Sequence, residues 1–194
     1  MKVQHAISEA LGDVGAMLDE VVGKLKELGI DLEELAPDHV CYRCSSTVEY
    51  QDVCAMLSQQ GVLLIESMIG GRPISTFQLH GALEYDGWRI GCIEVPCPKE
   101  GRAYKSGWEH VEFVVCKEGE HKGNEQLLLW KEKYPHVPWD LRALGKEVNP
   151  DISLQVSEQH SCKFHQCPLD RVIEKEKEQK LFVPVPPGYF SQLS

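Results

Sequence analysis

The sequence predicts an α+β fold, a single domain over 1–194 made of two β-α-β-β-β modules with an amphipathic helix packed outside them. Three observations carry that prediction. Segments with apolar residues at every second position alternate with segments whose apolar residues recur every three or four. A His-bearing strand motif occurs twice, at the head of each half. The chain, at 194 residues with 42% hydrophobic and 26% charged residues, has the size and composition of one globular domain.

Val3, Ile7, Leu11, Val14, Leu18, Val21, Val22 and Leu25 share a helical stripe, which predicts one amphipathic helix within residues 1–30, ending near Gly29. Asp38 to Cys44 then alternates. Val40, Tyr42 and Cys44 take one side and His39, Cys41 and Arg43 the other, so this is the first strand. Thr47 is expected to cap the following helix, which Gly61 stops. Val62 to Ile69 and Ile74 to His80 flank Gly70-Gly71-Arg72-Pro73 and read as a hairpin. Residues 81–87 read as a loop, and Trp88 to Val95 as a strand ended by Pro96 and Pro98. The first module thus spans 38–98. A linker rich in charge, Gly and Pro covers 99–107, and the pattern restarts over 107–168. Trp108 to Val115 reads as a strand, Asn124 to Lys133 as a helix, 135–149 as irregular, and Ile152 to Val156 and Ser161 to Cys167 as strands. Residues 169–194 form a charged helix and a Pro-rich tail expected to be loosely held.

Composition excludes several classes of function. With 20 Lys plus Arg against 30 Asp plus Glu the net charge is −10, so there is no broad attraction for nucleic acid or anionic lipid. The first residues lack the apolar core of a signal peptide, and no window offers the roughly 20 apolar residues of a membrane-spanning helix. A cytoplasmic setting is expected, with the eight cysteines reduced. Cys41-x-x-Cys44 has zinc-site spacing, but no second pair follows it. Cys41, Cys44, Cys54, Cys92, Cys97 and Cys116 therefore read as small buried apolar residues.

The repeat locates a candidate site. Asp38-His39-Val40 heads the first half and Glu109-His110-Val111 the second; positions 39 and 110 differ by 71, as do 94 and 165, which are Glu94 and His165. Strand periodicity puts His39, Cys41 and Arg43 on one face, as it does His110 and Glu112, Cys92 and Glu94, and Lys163 and His165. Together with Gln78 and His80 they form a surface too polar for a core, where buried charge needs a partner or a metal. Three imidazoles and a carboxylate suit Zn, Fe, Mn, Co or Ni. His39, Glu94, His110 and His165 are accordingly the candidate metal ligands, with coordination positions left for substrate. Glu112 and Glu94 are candidate catalytic bases. Glu112 has the structural alternative of pairing with Arg43. Arg43, Arg72, Gln78 and His80 are candidates for substrate binding, although a turn Arg such as Arg72 is ordinarily solvated.

These motifs resemble the YecM family: Asp38-His39-Val40-Cys41-Tyr42-Arg43-Cys44, Gly71-Arg72-Pro73-Ile74, Phe77-Gln78-Leu79-His80, Gly107-Trp108-Glu109-His110-Val111-Glu112 and Lys163-Phe164-His165, over roughly residues 30–168. That family is similar to the vicinal oxygen chelate superfamily of glyoxalases, bleomycin-resistance proteins and dioxygenases. The resemblance implies a half-open mixed β-barrel around a divalent metal, with ligands from the first and last strands of each module. His165 departs from the carboxylate that glyoxalase-like sites use in the last strand. The function implied is a metal-dependent isomerase, epimerase, lyase or oxygenase acting on a small oxygen-bearing substrate. The alternative is a non-catalytic module that binds a small ligand or another protein through the same cleft.

Overall fold

A computed structural model describes residues 2–115 and 124–192; Cys116 lies outside the described residues. Seven strands make one mixed sheet: β1 Ala36–Arg43, β2 Gly61–Ile69, β3 Arg72–Tyr85, β4 Trp88–Pro96, β5 Gly107–Val114, β6 Asp151–Gln155 and β7 Ser161–His165. Their order is β2-β3-β4-β1-β5-β7-β6. The helices are α1 Ser8–Leu11, α2 Gly15–Glu27, α3 Thr47–Gln60, α4 Glu125–Lys133 and α5 Leu169–Gln179. No helix of the described residues is long and apolar enough to cross a membrane.

In the first half, β1 leads through α3 to the antiparallel run β2-β3-β4, and β4 returns parallel to β1. The second half starts at β5, antiparallel to β1, and closes with β7 parallel to β5 and β6 antiparallel to β7. Among the described residues two strands follow α4. An antiparallel bridge from Asp140 to Ser153 stands on β6 where a third would pair. The sheet is open rather than barrel-shaped, with β2 and β6 at its edges.

One face holds the core. Val40, Tyr42, Val111, Phe113, Ile93, Val95 and Phe164 meet Leu18, Val21 and Leu25 of α2, Tyr50 and Leu57 of α3, and Leu127 and Trp130 of α4. The N-terminal helix is two helices rather than one. Gly12 adopts φ 79°, and the Asp13 carboxylate accepts from the amides of Val3 and Gly15, which turns the chain between α1 and α2. Ser46, not Thr47, caps α3, its hydroxyl accepting from the Glu49 amide at 3.1 Å.

The expected loop at 81–87 is mostly strand. Asp86 (φ 45°) and Gly87 (φ 85°) form the turn between β3 and β4, as Gly70 and Gly71 do between β2 and β3. Two consecutive positive φ values match the twist of paired strands, so β3 continues to Tyr85 through a register shift after Gln78. Gly61 opens β2 where any Cβ would come within 2.3 Å of the Gln78 carbonyl oxygen. The tail is better anchored than expected. Met68 donates to the Val183 carbonyl at 2.7 Å, Ser67 bridges Pro184, and Phe190 stacks on Tyr50.

Candidate metal centre

On the face opposite the core, side chains of five adjacent strands fall on two neighbouring rungs. One runs Gln78, Cys92, His39, Glu112, Lys163; the next runs Thr76, Glu94, Cys41, His110, Ser161. Because β5 is antiparallel to β1, Glu112 rather than His110 stands directly beside His39. The opposite side of Glu112 meets Lys163 of the parallel strand β7.

Glu112 is the centre of the cluster. Its Oε1 lies 2.5 Å from Lys163 Nζ, 3.2 Å from His110 Nε2 and 3.4 Å from His39 Nε2, while Oε2 lies 3.8 Å from His165 Nε2. Three imidazoles thus present the same nitrogen to one carboxylate. The far nitrogens of two of them are fixed by oxygen acceptors. His39 Nδ1 donates to Asp38 Oδ2 at 2.8 Å, and His165 Nδ1 donates to the Cys167 carbonyl at 2.6 Å. Asp38 Oδ2 also accepts from the Leu169 amide at 3.1 Å, which ties the start of α5 to the cluster.

His39 and His165 are 1% and 0% exposed, and the Nε2 of each has no hydrogen-bond partner. A buried ring nitrogen left unpaired is unusual. An imidazole whose Nδ1–H is held by oxygen while Nε2 faces other ligating groups is oriented as metal-bound histidines are. The donor set therefore fits a divalent ion. Ligand atoms lie within 4.8 Å of one another in the groups Asp38–His39–His165, His39–His110–Glu112 and Cys41–Glu109–His110.

The electrostatics are those of a compact charged network. Burial opposes charge on His39, but Glu112 and Asp38 outweigh it and lift its pKa to about 10. Burial lowers the pKa of His165. Burial works against the Glu112 anion too, yet Lys163 and the histidines hold its carboxyl well below the ordinary range. Lys163 is raised despite burial, chiefly by Glu112 and Glu94. Burial pushes the Cys41 thiol far up, leaving it a thiol rather than a thiolate.

Of the expected ligands, the structure brings His39, His110 and His165 together with Glu112. Glu94 belongs to none of the three groups. It lies on the His110 rung but two strands from β5, about 10 Å at ordinary strand spacing. The equal offset of 71 does not describe the pairing. Cys41 pairs with Glu94 as Glu112 pairs with Lys163, so the counterpart of Glu94 is Lys163, and His165 sits two residues further on, where β4 has Pro96. Arg43 pairs with Glu109, not Glu112, and lies 4.6 Å over the Tyr104 ring. Gln78 is on the His39 rung but is turned to the Gly91 carbonyl and the Cys92 thiol. His80 is exposed and falls in the register shift of β3 between Gln78 and Leu83. Arg72, at the start of β3, donates to the Cys97 carbonyl, about 14 Å along the strand from Thr76. Asp38, Glu109 and the role of Lys163 are the additions the structure makes.

The fold and site define an α+β protein with a buried histidine and carboxylate cluster on an open mixed sheet. The sequence profile of the YecM protein family matches residues 6–176, and the chain belongs to that family. The match includes α1, α2 and every member of the cluster. The chain is similar to Protein YecM of Escherichia coli (strain K12), 28% identical over 179 residues, 87% of this chain and 95% of that one. It is also similar to an uncharacterized protein of Haemophilus influenzae, 26% identical over 113 residues, 58% of this chain and 59% of that one. Among solved structures it resembles the structural-genomics protein EC4020, with a TM-score of 0.68 and 26% identity, covering 83% of this chain and 87% of that chain.

Proposed function

We propose that this protein binds a divalent metal ion through His39, His110, His165 and Glu112 and acts on a small oxygen-bearing substrate in the manner of the vicinal oxygen chelate enzymes. The observation that carries the reading is the convergence of three Nε2 atoms on one carboxylate, two of them without a hydrogen-bond partner. The chain order supports the superfamily assignment. Each half leads from its first strand through a helix to an antiparallel run whose last strand returns parallel to the first, the second half keeping one member of that run as the Asp140 bridge.

A bound ion of this kind supplies Lewis acidity, polarising substrate oxygens and stabilising an enolate or oxyanion. The residues of the chain supply the rest. Asp38 and the Cys167 carbonyl keep His39 and His165 in the tautomer that leaves Nε2 free of a proton when the ring is neutral. Val172 and Ile173 of α5 are buried, and the Leu169 amide ties the start of that helix to Asp38. Glu112 is engaged at the centre, so Glu94, half-buried one rung away, is the remaining carboxylate for the role of general base.

Metal analysis after reconstitution tests the reading. One divalent ion per chain is expected, with affinity falling by about tenfold or more in His39→Ala and Glu112→Gln. Absence of stoichiometric metal, or retention of full affinity in both variants, overturns it. Stabilisation by a small ligand that persists in chelator would favour the metal-free binding module instead.

A further inference from the structure

We propose that Lys163 is a tethered cation that occupies the metal position between Glu112 and His110, so that an incoming ion must displace it, and that this exchange sets the protein's affinity for metals. The inference rests on the metal reading above and names what regulates that site.

The ammonium of Lys163 touches two of the groups that would hold the ion, Glu112 Oε1 at 2.5 Å and His110 Nε2 at 3.2 Å. Its side chain rises from the rung that carries His39 and Glu112, so its reach is fixed by strand register rather than by a mobile loop. An ammonium and a divalent ion on the same oxygen of the buried Glu112 carboxylate repel each other, so the two compete for it. Metal entry therefore breaks the Lys163–Glu112 pair. The Lys163 side chain is 29% exposed, so the displaced ammonium can turn outward to solvent. The exchange would leave Glu112 to the ion.

The cost of displacing the ammonium is common to every divalent ion, so Lys163 lowers affinity across the series while the histidines set the preference for ions such as Co²⁺, Ni²⁺ or Zn²⁺ over Mg²⁺ or Ca²⁺.

Titration of the full chain with Co²⁺, followed by its visible absorption, and with Mn²⁺ tests this. Lys163→Met is expected to bind both ions about tenfold more tightly than wild type. Because Met could destabilise the fold, Lys163→Gln is measured beside it, with circular dichroism and melting of each metal-free protein. If wild type binds Co²⁺ and folded Lys163→Met and Lys163→Gln bind it equally or more weakly, the exchange is overturned while the metal reading stands. If neither wild type nor the variants take up Co²⁺, both readings fall.

Discussion

Asp38 is where β1 departs from period two, and the departure organises the site. Pro37 pairs with Phe113 and His39 with Glu112, so Asp38 is the extra residue of a bulge, and a bulge re-aims side chains. Strict alternation would send Asp38 to the face opposite His39; the bulge instead lets its carboxylate hold His39 Nδ1 and the Leu169 amide and approach His165 Nε2 at 3.4 Å. We expect Asp38→Asn to lower metal affinity about tenfold, the usual effect of losing a partner that orients a ligating histidine. Calorimetric titration beside wild type checks it; equal affinity would reduce Asp38 to a helix anchor. The three histidines were legible because residue type and a repeated motif mark them. Asp38 was not, because nothing in alternation marks a bulge except Pro37, whose missing amide already disfavours regular pairing. Glu94 was overvalued because a constant offset assumes equal strand connections in both halves, and the two halves differ there by two residues.

At the scale of elements, helices and strands were readable where one signal dominated. α3 is bracketed by Ser46 and Gly61 and lies close to its expected span. β3 was read short because Gly81 and Ala82 look like a break, whereas Asp86-Gly87, a strong turn signal, sits five residues later. The 99–106 connection is held from outside itself. Glu49, in the first turn of α3, accepts from the Ser45 amide and hydroxyl at 2.7 Å each and from the Ser106 hydroxyl at 2.6 Å. Partial burial works to raise its pKa, but the bonds from Ser106, Ser45 and Tyr42 outweigh it and hold the carboxyl below the ordinary range. A carboxyl depressed on folding contributes stability that is present above its unfolded pKa, about 4.3, and is lost as pH falls through its folded value. Glu49→Gln should therefore cost about 1 kcal/mol at pH 7, a modest figure because the group is partly solvated. Denaturant unfolding at a series of pH values should show the wild-type advantage narrowing below about pH 4. An advantage constant from pH 7 to pH 3 would mean that the variant's loss comes from its NH2 group facing the Ser45 and Ser106 donors, not from the missing charge.

For the whole molecule, the cluster is a joint between halves. His39 comes from β1 of the first half, His110 and Glu112 from β5 and His165 from β7 of the second, so a bound ion spans the β1–β5 seam. That seam is also where the core is continuous, Val40 and Tyr42 of β1 packing in one cluster with Val111 and Phe113 of β5 and with α2. A ligand that binds the native state alone stabilises it by about 2.7 kcal/mol at a hundredfold excess over Kd. In a chain of this size roughly 2–4 °C of melting temperature corresponds to each kcal/mol. Saturating Co²⁺ or Zn²⁺ should thus raise the midpoint by about 5–10 °C, and the transition should stay single because both halves are held by the same ion. His39→Ala and His110→Ala, one from each half, should each cut the shift to about half or less at the same metal concentration, as a tenfold or greater loss of affinity requires, while melting at similar temperatures in chelator. Differential scanning calorimetry decides between this and a local site. A second transition that moves with metal while the first stays fixed would place the ion within one half, and the seam would owe its stability to the core alone.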